Sequence, residues 1–361
     1  LLASALLLCM TAGCTPAGTD RKDAVPAYTH FTSYRDIPGV TGEDIRAIEA
    51  LQAKYDTFVV GSDYSTEAFV NTNGEIQGFL SLFCDWMSLL FAIQFQPAIV
   101  EWGDLMAGLE SGDIDFSGVV TATPERLESG FIMTDAIAEH MIKTIRIKNS
   151  VPLFEIAAHR PLRYVFLEGT VTIDDVTRLT NEEFEAFRAV DYPEIYRMLK
   201  SGEVDAFIEE GVNEAAFDSY GDVVASEYLP LIFNPVSLTT RNPELAPIIS
   251  LVQKALDAGA IRYLTELYNA GETQYYNNKL CTQLSDEETE YISRNGTIPF
   301  VAENDNYPIS FYNDREGQWQ GIVFDVSTKS RKSLLCLFKS SMTRPPPGRS
   351  WPGCWRAEKR I

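Results

Sequence analysis

The residues best suited to chemistry lie in one short stretch, Thr121-Ala122-Thr123-Pro124-Glu125-Arg126. Thr followed by Pro reads as the N-cap and first position of a helix, so free backbone N–H groups face outward there. Arg126 falls in that first turn, where a cation opposes the helix dipole. The placement makes sense if Arg126 shares an anion with the helix end; alone, it reads as a surface charge. Glu209-Glu210, just past the apolar strand Val204-Asp205-Ala206-Phe207-Ile208, reads on its own as a solvated acidic pair. Six cysteines (Cys9, Cys14, Cys84, Cys281, Cys336, Cys354) show no CxxC or other metal spacing. His30, His140 and His159 are scattered singly and read as surface or packing residues. With no nucleophile–base pair or paired catalytic acids, no catalytic residue, metal or cofactor is expected.

The elements that must position these residues alternate. Strand Thr57–Gly61, helix Phe79–Leu90, strand Pro97–Val100, helix Trp102–Ser111 and strand Ile114–Phe116 imply α/β layers around a largely parallel sheet. Residues 15–55 read as a polar leader with one short helix, Gly42–Tyr55. Two repeats stand out. Leu109-Glu110-Ser111-Gly112-Asp113-Ile114-Asp115-Phe116 is echoed by Leu199-Lys200-Ser201-Gly202-Glu203-Val204-Asp205-Ala206-Phe207, which implies two similar lobes. Gly61-Ser62-Asp63 to Phe69 and Asn73-Gly74-Glu75-Ile76-Gln77-Gly78-Phe79 match Glu303-Asn304-Asp305 to Phe311 and Glu316-Gly317-Gln318-Trp319-Gln320-Gly321-Ile322. A second copy of the module is therefore expected from about residue 297. Between the copies, Leu280–Asn295 reads as a linker helix capped at Ser285.

The 361 residues are 45% hydrophobic, enough for one or two proper cores. A formal net charge of −21 excludes nucleic acid as a partner. Leu1–Met10 is an apolar run ending in Thr11-Ala12-Gly13-Cys14, the end of an export signal too short to span a bilayer. Small residues before Cys14 resemble a bacterial lipobox, which would lipidate Cys14 and anchor the chain to the outer face of the cell membrane. The same stretch also reads as an ordinary cleaved signal with an incidental cysteine. The apolar stretch Phe79–Val100 carries Asp85, Gln94, Gln96 and Pro97 and reads as core rather than membrane.

Trp102-x-x-Leu105-x-x-x-Leu109-x-Ser111-Gly112-Asp113-x-Asp115, followed by Thr121-x-Thr123-Pro124-Glu125-Arg126, resembles the bacterial extracellular solute-binding proteins of family 3, the amino-acid-binding group. The resemblance covers residues 56–277 and the opening of a second copy at 297–326. It implies a two-lobed Venus-flytrap fold of the type 2 periplasmic-binding-protein class. Crossover strands would lie near Ile142–Ile147 and Leu231–Leu238, with lobe one at 56–143 and 236–277 and lobe two at 144–235. It also implies site roles: Arg126 on a ligand carboxylate, Thr121 and Gly118 beside it, and the Gly169-Thr170 loop approaching through its backbone. Glu210 would meet the ligand's ammonium, and Thr66 and Phe69 would wall the pocket, though Phe69 reads equally as core. Val171 stands where the family often has a hydroxyl, and Leu80 where it often has Asp, so the ligand class is less defined than the fold.

The resemblance implies a small-molecule ligand, an amino acid or related carboxylate. Tandem modules resemble the sensory part of a bacterial receptor with a downstream kinase or cyclase; the alternative is a lipid-anchored binding protein serving an ABC permease. Beyond about Ser327 the chain turns basic and Pro-rich (Arg344-Pro345-Pro346-Pro347). Codons from Pro347 to Lys359, read from their third base, permit a Trp-Glu-Glu-Leu-Ala-Gly-Met-Leu-Glu-Ser-Gly-Glu string like Trp102–Asp113. The segment 327–361 is therefore expected to be an out-of-frame tail, the plainer alternative being a basic tail that ends the protein.

Overall fold

In the computed structural model, residues 30–180, 183–295, 303 and 305–327 are described. The expected export signal, the expected lipidation site Cys14 and all of the expected out-of-frame tail 327–361 except Ser327 lie outside them. The elements run α1 (Gly42–Lys54), β1 (Thr57–Ser62), β2 (Phe69–Val70), β3 (Ile76–Gln77), α2 (Phe79–Phe91), β4 (Gln94–Ile99), α3 (Trp102–Ser111), β5 (Phe116–Val120), α4 (Pro124–Glu128) and β6 (Ile132–Ile147). They continue with α5 (Leu153–Ala157), β7 (Leu162–Leu167), α6 (Thr172–Leu179), β8 (Phe184–Ala189), α7 (Tyr192–Ser201), β9 (Ala206–Glu210), a 3-10 stretch (Gly211–Tyr220) and β10 (Val223–Thr240). Helices α8 (Ala246–Ala255), α9 (Ile261–Gln283) and α10 (Asp286–Arg294) precede β11 (Asp305–Asn306), β12 (Ser310–Asn313) and β13 (Gln318–Gln320).

One eight-stranded sheet, in the order β4-β1-β5-β10-β6-β9-β7-β8, runs through the molecule. Strands β4, β1 and β5 are parallel at one end and β9, β7 and β8 at the other. The long strands β6 and β10 pair antiparallel between them and serve both halves. Leu229 faces Ile142 while Phe233 faces the adjacent Met141, so the ladder breaks where the chain passes from one lobe to the other. This is the two-lobed architecture that the alternating elements imply.

The repeated helix–glycine–strand unit has one physical cause in both lobes. Gly112 and Gly202 end α3 and α7 in the left-handed region, at φ 84° and 73°. The aspartate that follows then ties its strand to the neighbour. Asp115 accepts from Val59 N at 2.8 Å and donates its own N–H to Val59 O at 3.0 Å. Asp205 accepts from Arg163 N at 2.8 Å and donates to Arg163 O at 2.8 Å.

Helix α2 buries Phe79, Leu80, Phe83, Trp86, Met87 and Phe91 in the lobe-one core. No helix among the described residues is long and apolar enough to cross a membrane. The described part of the segment expected to be a leader, residues 30–55, belongs to that core: Phe31, Tyr34, Ile37, Ile48 and Leu51 are buried, and Trp86 Nε1 donates to Phe31 O at 3.1 Å. The linker helix starts at its expected Ser285 cap, but Leu280–Gln283 belong to the preceding helix. Helix α9 runs on to Gln283, and Ser285 with Glu288 forms a capping box that starts α10 afresh.

Gly78 shows why the β2–β3 hairpin needs a glycine at its exit. Its φ is 105°, and a Cβ there would sit 2.2 Å from Glu67 O, the carbonyl that Leu80 N binds at 3.0 Å. The same geometry recurs at Gly321: φ is 119°, a Cβ would sit 2.5 Å from Ile309 O, and Val323 N binds that carbonyl at 3.1 Å. Gly78→Ala should cost roughly 3 kcal/mol through strain and backbone displacement. Chemical denaturation would show it as a lower midpoint at unchanged slope; a wild-type midpoint would contradict the assigned geometry.

Candidate ligand-binding site

The lobes meet along the C-terminal ends of the parallel strands. Arg126 lies at that junction because Thr123 caps α4, its hydroxyl accepting from Arg126 N at 3.2 Å. The Arg126 guanidinium donates from Nη1 to Thr121 O at 2.8 Å and, across the cleft, from Nη2 to Gly169 O at 3.4 Å. It also lies 5.8 Å from the centre of the Trp102 ring. Burial pulls its pKa down, opposed by the charge of Glu210. Among the described residues its hydrogen bonds go to carbonyls and not to a carboxylate. Two buried polar atoms on the same cavity, Trp102 Nε1 and Asn213 Oδ1, have no hydrogen-bond partner among the described residues.

Four acids and one histidine complete the junction. His140, fully buried on β6, joins Glu67 of lobe one (Nε2, 2.7 Å) to Glu210 of lobe two (Nδ1, 2.5 Å). Burial alone would discharge the ring, but the two carboxylates outweigh it and hold its pKa well above that of an ordinary imidazole. Glu210 Oε1 also accepts from Asn234 Nδ2 at 3.3 Å. Glu209 Oε1 accepts from Thr172 Oγ1 at 2.7 Å and from Glu210 N at 3.0 Å. Burial, reinforced by Glu210, pushes Glu209 up to about 8 despite those bonds. Asp63 is pushed up to about 6, first by burial and then by Glu210, while Tyr192 OH donates to it across the cleft at 2.7 Å and opposes the shift.

The lobes are closed on each other. Besides these contacts, Thr66 N donates to Val212 O at 2.8 Å. The space between them at Arg126 is about 20 Å³, room for about one water molecule, so a larger ligand needs the lobes to part.

Of the residues expected at the site, Arg126, Thr121, Thr170 and Glu210 line this cavity, and Gly169 reaches it through its carbonyl. Val171 lines it as well. Thr66 reaches across by its backbone. Gly118 lies against Ile137, 3.3 Å from where a Cβ would stand. Phe69 is buried against Tyr275, ring centroids 5.6 Å apart, and is core. His140 is neither a surface nor a simple packing residue, because both its nitrogens hold carboxylates. Asp63, Glu67, Tyr192 and Asn213 were not legible in the sequence as site residues. The nearest signal was Asp63 itself, in a stretch whose sequence pattern recurs around Asp305.

No family model matches this chain, and no curated protein matches it. Among solved structures it is similar to the periplasmic domain of BvgS from Bordetella pertussis, with a TM-score of 0.55 and 16% identity over 72% of this chain and 48% of that one. The present chain thus spans about half of that domain. It is also similar to the VFT2 domain of the same protein, with a TM-score of 0.51 and 17% identity over 62% of this chain and 97% of that one. A mutant of ArgBP from T. maritima aligns at a TM-score of 0.47 and 20% identity, over 62% of this chain and 99% of that one. The likeness to the two BvgS structures shows the Venus-flytrap fold.

Proposed function

We propose that residues 56–277 bind a small amino-acid-like carboxylate between their lobes outside the cytoplasm, as the sensory part of a signalling receptor. The observation that carries the binding role is Arg126: a half-buried guanidinium at the lobe junction, hydrogen-bonded to two carbonyls, with the indole N–H of Trp102 lacking a partner among the described residues nearby. A carboxylate supplies what both donors lack. Binding, rather than catalysis, fits a cleft whose acids are held by internal partners.

The sensory role draws support from the second module opening. Gly321 and Val323 repeat the backbone arrangement of Gly78 and Leu80, and the share of this chain that aligns rises from 62% with the single VFT2 domain to 72% with the whole BvgS periplasmic domain. A kinase or cyclase would then be the output. The alternative, a substrate-binding protein of an ABC importer anchored through Cys14, rests on the lipobox-like Thr11-Ala12-Gly13-Cys14. Calorimetric titration of the purified protein with small carboxylates tests the binding role: one site per chain is expected, and no heat from any of them would overturn it. Sequencing the adjoining DNA separates the two settings, a kinase or cyclase frame supporting the sensor and permease genes the importer.

A further inference from the structure

We propose that this cleft selects small carboxylates that lack an amino group, because His140 takes the position against Glu210 that a ligand's ammonium would need. The inference rests on the reading that a carboxylate meets Arg126.

Glu210 is the acid at the mouth of β9 that would hold an amine, and both its oxygens are engaged. Oε2 meets His140 Nδ1 at 2.5 Å and Oε1 meets Asn234 Nδ2 at 3.3 Å. The other acids of the junction each have a partner of their own. Glu67 holds the far nitrogen of His140 at 2.7 Å. Asp63 holds the Tyr192 hydroxyl at 2.7 Å, and Glu209 is bonded by Thr172 at 2.7 Å and its neighbour's N–H at 3.0 Å.

The two cations are treated differently. His140 is flanked by carboxylates on both sides, whereas the Arg126 guanidinium is met by carbonyls. An ammonium brought to Glu210 would face the charged imidazole at contact distance, where like charges in a water-poor site repel strongly. A carboxylate shares the cavity with the Asp63 and Glu210 charges, but on Arg126 and Trp102 Nε1 it finds donors and does not need the space beside His140. His140 is thus an internal counterpart of the amine, supplied by the protein.

The test is a comparison at pH 7 of pairs that differ only at the α-carbon, pyruvate with L-alanine and 2-oxoglutarate with L-glutamate, by calorimetry on the purified chain. At least one oxo acid should bind about tenfold or more tighter than its amino acid. His140→Gln removes the positive charge and frees Glu210, so the ratio should shift toward the amino acid by about tenfold or more. Glu67→Gln keeps the His140–Glu210 contact and should retain the oxo-acid preference, which guards against a His140 variant that does not fold. An unchanged ratio in folded His140→Gln overturns the role of His140. If the amino acids bind as tightly as the oxo acids or tighter, the inference fails while the binding role stands. If neither set binds, the binding role fails with it.

Discussion

Arg126→Ala should abolish or severely weaken carboxylate binding, by at least about thirtyfold, or roughly 2–5 kcal/mol. The size follows from where the guanidinium sits. It is held by the Thr121 and Gly169 carbonyls at 2.8 and 3.4 Å, so its direction is set before a ligand arrives and little ordering cost remains on binding. Truncation removes the charge and leaves a buried carboxylate facing Trp102 with one donor. Arg126→Lys should recover only part of the affinity, since an ammonium cannot fork onto a carboxylate while keeping both carbonyls. Wild-type affinity in Arg126→Ala would remove this residue from the site. The measurement is calorimetry with circular dichroism as a check on folding.

Thermal stability should fall as pH rises from 5 to 8, by about 5 °C or more, in contrast to a protein whose charges are all solvated. Three buried groups push the same way. Asp63, facing Tyr192, Glu210 and His140, has a folded pKa of about 6. Glu209, facing Glu210, Asp63 and Thr172, has one of about 8. Both lie above the ordinary carboxylate value near 4, so the folded protein holds protons that the unfolded chain has released. Their contribution is complete below pH 4 and is lost as pH climbs through about 6 and about 8. His140, between Glu67 and Glu210, is raised as well, and its stabilisation fades as pH rises above the ordinary imidazole value. With each unit worth about 1.4 kcal/mol, Glu209 dominates the window. Glu209→Gln, which keeps the Thr172 bond without a titrating proton, should flatten the profile. A profile that stays steep in Glu209→Gln would place its origin elsewhere.

The local signals in the chain proved the readable ones. Thr123-Pro124 places Arg126 in a first turn because capping depends on residues three apart, and the structure shows that cap. Asp115 and Asp205 repeat in register because each closes the same pair of backbone bonds on a neighbouring strand. The site around Arg126 was harder to read, since its members are joined only by the fold. His140 meets partners 73 and 70 residues away, Glu67 and Glu210, and no spacing rule reaches that far. Glu210 itself is legible as an acid after a strand, but its engagement by an imidazole is not. Phe31, Tyr34 and Ile37 fasten their segment to lobe one from a single 3-10 turn and its flanks, which carry no strand or α-helix period for a sequence reading to find.

A crystal structure of the protein grown with a carboxylate that binds it would test the central claim most directly. The account predicts the ligand between the lobes, its carboxylate oxygens within about 3 Å of the Arg126 guanidinium and of Trp102 Nε1, with His140 still between Glu67 and Glu210. A ligand bound outside the lobe junction, or one in the junction whose carboxylate leaves Arg126 on the Thr121 and Gly169 carbonyls alone, would contradict it.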